Sequence, residues 1–145
     1  MGYPQKIVSP FDTMWVVTIE DWIEGTAKWL QNTHGLAESF APKVARFLAY
    51  CYQYKLSPRI IVGFRSPEHQ EAMQRAWDRG ERTGLRVRPA TNSKHSVRDD
   101  SGRGASHAID IVTSNDSQAA AIARYLGIGA GQDFTHPDPG HYFLA

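Results

Sequence analysis

Hydrophobic residues recur at helical spacing early in the chain and gather into short, unbroken runs further on. Ile19, Trp22, Ile23, Ala27 and Leu30 fall three and four apart, the interval that lines side chains along one helix face. Thr18 stands where a cap belongs, with Asp21 three residues on, and residues 32–35 end the segment. A second helix is expected from Pro42, a good first-turn residue, with Val44, Phe47, Leu48 and Cys51 as its buried stripe and Ser57-Pro58 closing it. Residues 59–64 (Arg-Ile-Ile-Val-Gly-Phe) read as a buried strand, short and rich in β-branched side chains. Ser66-Pro67-Glu68 then opens a third helix that runs to about Arg79, with Gly80 as its stop. Residues 81–106 are charged and aperiodic and read as loop, and residues 108–112 (Ala-Ile-Asp-Ile-Val) form a second strand. A helix over 114–127, capped by Asn115 or Asp116, glycine-rich turns and a strand over 141–144 complete the chain; residues 14–17 give a further short strand. Helices first and strands mostly later predict an α+β domain rather than alternating βαβ units.

Composition narrows this picture without redirecting it. With 145 residues, 41% apolar and 21% charged, the chain has the size and character of one globular domain, 1–145, able to bury a single core. A net charge of +1 offers no bulk attraction to nucleic acid or to an anionic membrane. The basic run from Arg79 to Arg88 lacks the interleaved aromatics that stack on bases, so it reads as a solvated loop. A single cysteine, Cys51, rules out an internal disulfide framework and reads as a packed thiol. No apolar run approaches the length of a membrane helix or of a secretory leader, so synthesis in the cytoplasm is expected, without membrane insertion.

Chemistry concentrates in the second half. Of six histidines (34, 69, 95, 107, 136 and 141), four lie beyond residue 90 and close to two strands. Histidine and carboxylate are the ligands of a metal that keeps one position open for water. Ser93-Lys94-His95, Ala108-Ile109-Asp110 and Asp138-Pro139-Gly140-His141 together supply three ligands and a further carboxylate. Asp110 sits inside an otherwise apolar strand, where a carboxylate is costly unless it is paired or bound to a cation.

The order Gly63-Phe64-Arg65-Ser66 with Gln70, then Ser93-Lys94-His95, Ala108-Ile109-Asp110-Ile111 and Asp138-Pro139-Gly140-His141-Tyr142-Phe143-Leu144 resembles the M15 family of D-Ala-D-Ala carboxypeptidases and L-alanyl-D-glutamate peptidases. That family includes VanX- and VanY-type enzymes and many phage endolysins. The matched motifs span about residues 60–145, and residues 1–35 match nothing in it. The resemblance implies a Hedgehog/DD-peptidase-like fold, a small and mainly antiparallel sheet with packed helices. It implies one zinc ion held by His95, Asp110 and His141, Asp138 as the carboxylate that takes a proton from the attacking water, and Arg65 as the cation near the substrate carbonyl. Ser93 and Gln70 become supporting residues for substrate or ligand orientation. The implied partner is the peptidoglycan stem peptide. The implied reaction is cleavage of its L-alanyl-D-glutamate bond by a monomeric phage-type lysin, acting after release or as part of a virion. D-Ala-D-Ala carboxypeptidase or DD-endopeptidase activity and a non-catalytic zinc module are the rivals.

Two features depart from the family pattern. His95 and Asp110 are fifteen residues apart where many members have seven, with residues 97–104 as an inserted polar loop. Residues 134–138 (Phe-Thr-His-Pro-Asp) also resemble the His-x-Asp ending of another branch, which would make His136 the third ligand. Gly140-His141-Tyr142-Phe143-Leu144 reads as the closing strand that carries the ligand, which favours His141. Each site residue also has a plainer role open to it: Asp110 as partner of Arg65 or Arg103, Asp138 as a turn former, Arg65 as a tie from strand to helix.

Overall fold

The computed structural model describes residues 18–81, 84–85 and 87–145, so the short strand expected over 14–17 lies outside the described residues. Helix α1 (Ile19–His34) begins where Thr18 accepts a hydrogen bond from the Asp21 amide at 3.1 Å. It ends at Gly35, whose left-handed backbone (φ 63°) lets its N–H reach back to the Gln31 carbonyl. Helix α2 (Ala41–Gln53) has Pro42 in its first turn and packs its apolar stripe against α1. It stops short of Ser57-Pro58 because the chain already reverses at Lys55 and Ser57, both in positive-φ conformations. Trp22, Trp29, Phe40, Phe47, Leu48 and Cys51 are buried at this helical interface and under the sheet. Each large apolar side chain enclosed there contributes roughly 1.5–3 kcal/mol of transfer free energy.

The sheet has four strands in the order β1-β2-β4-β3, every neighbouring pair antiparallel. Strands β1 (Arg59–Val62), β2 (Ala108–Val112) and β4 (His141–Leu144) fall where hydrophobic runs predict them. Strand β3 (Ile128–Ala130) is an addition: three residues with a central glycine carry no readable period. The reason for that glycine is tertiary, since Gly129 lies opposite Phe143 and the aromatic ring fills the space a Cβ would need. Strand β1 ends two residues early because the Phe64 amide leaves the sheet and donates to His34 at the end of α1 (2.7 Å). Helix α3 (Pro67–Asp78) is capped by Ser66, and α4 (Asp116–Tyr125) by Asn115 rather than Asp116.

Pleating divides β2 between two environments. Ile109 and Ile111 point into the core with Tyr142, whose ring lies 4.7 Å from that of Phe47. Asp110 points to the opposite face, half-buried. That face is covered by part of the segment between α3 and β2, whose described residues are loop, as expected, apart from a 3-10 turn over Lys94–Ser96 and an isolated bridge between Arg98 and Gly104. The architecture is therefore α+β, with helices on one face of a small antiparallel sheet and a loop-covered polar face on the other.

Candidate metal centre

Asp110 and His141 are register partners on β2 and β4, so backbone pairing alone places their side chains together on the polar face. The His141 Nδ1 lies 2.9 Å from Asp110 Oδ1. His95 reaches the same oxygen from above, its Nε2 at 3.3 Å. Its 3-10 turn is held by Ser93, whose hydroxyl accepts the His95 amide at 3.2 Å. One ligand atom from each of His95, Asp110 and His141 lies within 4.8 Å of the others, and the three can hold a metal ion.

The orientation of His95 sharpens this. It is 4% exposed, and its Nδ1 lies 2.8 Å from the Gly63 carbonyl, an acceptor that demands a proton on that nitrogen. In the neutral ring the other nitrogen, Nε2, is then a bare lone pair facing a carboxylate oxygen. Two acceptors in contact require a positive species between them, either a second proton on the ring or a cation. Ligand atoms about 2.0–2.1 Å from a tetrahedral zinc are themselves about 3.3 Å apart, the separation seen between His95 and Asp110. The Gly63 carbonyl is the kind of outer partner that fixes the ring orientation of a histidine able to bind a metal. On donor type the group suits a divalent metal ion.

Burial by itself raises the pKa of Asp110 and is the largest single influence on it. Hydrogen bonds from His141 and His95, with their positive charge, outweigh burial and hold the carboxyl well below the usual carboxylate range. The arginine partnership open to Asp110 does not form; its partners are the two histidines.

The remaining sequence-predicted residues take distinct places. Arg65 follows β1, donating its amide to the His95 carbonyl (3.0 Å) and its guanidinium to Gln70 Oε1 (3.1 Å). Gln70, 6% exposed on α3, also donates to the Ala90 carbonyl at 2.8 Å, so its amide group is fixed and in turn aims Arg65. Arg65 thus ties strand to helix, and its backbone is hydrogen-bonded to that of His95. Asp138 is exposed in the turn that leads into β4, and its carbonyl accepts the His141 amide at 3.3 Å. Its carboxylate makes no hydrogen bond among the described residues. His136 is exposed and lies outside the cluster, as does His107, whose backbone links Lys94 to Leu144.

Several contributors escape the sequence. Gly63 matters through its carbonyl, which no side-chain pattern reports. At Gly131 a Cβ would collide with the Asp138 carbonyl and approach the His141 Cβ to 3.0 Å, so glycine lets the ligand-bearing turn close. Phe134 and Phe143 stack at 5.3 Å and both flank His141, at 5.9 and 5.8 Å. Phe143 stood in the closing motif without a role, and Phe134 just before it. A cleft of about 460 Å³ opens elsewhere, between the end of α1 and β1, and touches the cluster only through Gly63. It contains none of the three cluster residues.

No helix among the described residues is long and apolar enough to cross a membrane. No protein-family model and no curated protein sequence matches the chain. Among solved structures, the L-Ala D-Glu endopeptidase ChiX of Serratia marcescens is similar at 18% identity over 86% of each chain, with a TM-score of 0.49.

Proposed function

We propose that this chain is a zinc-dependent peptidase that hydrolyses an amide bond of the peptidoglycan stem peptide, in the first instance the L-alanyl-D-glutamate bond, as phage-type lysins do. The observation that carries the reading is the convergence of His95, Asp110 and His141, with ligand atoms within 4.8 Å, from three segments whose motif order resembles one peptidase family.

On this reading the three side chains hold zinc, which when bound acts as a Lewis acid and brings the pKa of water to about 7. The protein's own residues do the rest. Asp138, exposed in the turn before β4 and without a side-chain hydrogen bond among the described residues, would take a proton from the attacking water and pass it to the leaving amine. Arg65, aimed by Gln70, presents a fixed cation to the oxygen that gains charge as the carbonyl is attacked. Gly63 and Ser93 act on His95, the first fixing its tautomer and the second its turn. A group set before substrate arrives needs no reorganisation during reaction.

Incubation of zinc-loaded protein with purified peptidoglycan, with and without chelator, tests the proposal by mass spectrometry of the products. The expected result is new fragments that vanish with chelator and return with zinc, with masses that mark cleavage after L-alanine. Loss of a terminal D-alanine instead would transfer the assignment to a D-Ala-D-Ala carboxypeptidase. Bound zinc without any product from several wall chemistries would leave a binding module and end the enzymatic reading.

A further inference from the structure

The polar face carries a second set of groups beside the cluster that the proposed mechanism does not use. Phe134 is 42% exposed and stacks on Phe143, and both rings continue the surface of His141 outward. Lys94 lies at the far side of this ledge, with its ammonium 5.1 Å above the Phe143 ring. Its hydrogen bond runs to the Leu144 backbone carbonyl at 2.9 Å, an exposed contact that holds the head in place without neutralising it. Arg88, Arg98 and Arg124 each pair with a carboxylate, at 3.0, 3.3 and 2.9 Å. Among the described residues Lys94 pairs with none.

An uncompensated cation fixed at the rim of an aromatic ledge is complementary to one kind of group: a short aliphatic body that ends in a carboxylate. The methylenes would lie on Phe134 and Phe143, and the carboxylate would reach the ammonium with only an exposed backbone contact to displace. We propose that Lys94, Phe134 and Phe143 form a recognition subsite for an acidic residue of the substrate next to the bond that is cut. The inference rests on the peptidase reading and deepens it by naming the residues that would select the acidic substrate. A glutamate joined into the stem peptide through one carboxyl group keeps the other free, and that free carboxylate is the group Lys94 would bind. Lysine suits the task as a point charge on a flexible stem.

The test uses two peptides that differ only at this group: L-Ala-γ-D-Glu-L-Lys and its counterpart with the free glutamate carboxylate converted to carboxamide. Zinc-loaded wild-type protein is expected to favour the acidic peptide about tenfold in kcat/KM, in keeping with one charge-assisted hydrogen bond. Lys94→Met keeps the aliphatic cover on Phe143 and should bring that ratio to about one. Lys94→Arg should preserve it, and Phe134→Ala should weaken both peptides alike. A wild-type ratio near one, or an unchanged ratio in Lys94→Met, would overturn the subsite while leaving the peptidase intact. If neither peptide is cleaved, the peptidase reading falls by itself. The subsite then stands only if calorimetry shows tighter binding of the acidic peptide and loss of that difference in Lys94→Met.

Discussion

At Asp110 two opposing effects meet in one carboxyl group. Burial favours the neutral acid, whereas His141 and His95 favour the carboxylate and prevail. Because the folded pKa lies below the ordinary aspartate value of about 3.9, the charged form stabilises the fold at neutral pH. That contribution is present above the ordinary value and is lost as the pH falls through the depressed one. Metal-free protein should therefore lose denaturant stability on acidification, and Asp110→Asn should flatten that dependence; equal slopes would remove Asp110 from the account. Asp138 is the contrasting carboxylate, exposed and without a side-chain partner among the described residues. Asp138→Ala should lower kcat by about 10²–10⁴ with zinc content and melting temperature unchanged, read by turnover and metal analysis. A variant that loses its zinc as well would make Asp138 a ligand instead of a base.

Elements explain why these side chains meet. A β-ladder places opposite residues about 5 Å apart, so pairing β2 with β4 brings Asp110 to His141 before any side chain chooses a partner. His95 needs a loop to reach them, and its 3-10 turn docks through hydrogen bonds from Arg65 to His95 and from His107 to Lys94. The turn before β4 closes over Gly131, where no side chain fits. Gly131→Ala should cost about 1–3 kcal/mol by overpacking and should shift His141 relative to Asp110. Weaker zinc affinity and a lower melting temperature together would show this. Full retention of both would mean that the turn can move aside.

For the whole molecule, the metal group joins parts that the apolar core does not. The core lies between α1, α2, α4 and one sheet face. The loop after α3 is tied back to that helix by polar contacts such as Gln70 to Ala90 and the bidentate pair of Arg88 with Asp78. A ligand that binds the folded state alone should stabilise it, by about 2.7 kcal/mol at one hundred times its dissociation constant. For a domain of this size that corresponds to a rise of about 5–10 °C in melting temperature. Zinc should produce such a rise, and His95→Ala or Asp110→Asn should abolish it; no shift in wild type would overturn the ligand assignment.

By itself the sequence determined the elements whose signals are local. Helix α1 follows from Thr18, a periodic stripe and Gly35; α3 from Ser66-Pro67; and β2 from its apolar run, because caps, periods and turn residues act within a few positions. The polar exception within β2 also marked Asp110 as a residue needing a charged partner. The resemblance already favoured His95 and His141; the tertiary structure brought them to Asp110, one by strand register and one by a docked loop, while Arg65 turns to Gln70 and His136 stays outside the cluster. The tertiary structure likewise placed β3, whose Gly129 is dictated by a ring from another strand, and gave Gly63 its role through a carbonyl that every residue possesses. Local propensity is written in the identity of neighbours along the chain. Convergence is set by register and close approach, which become defined only when distant segments have packed.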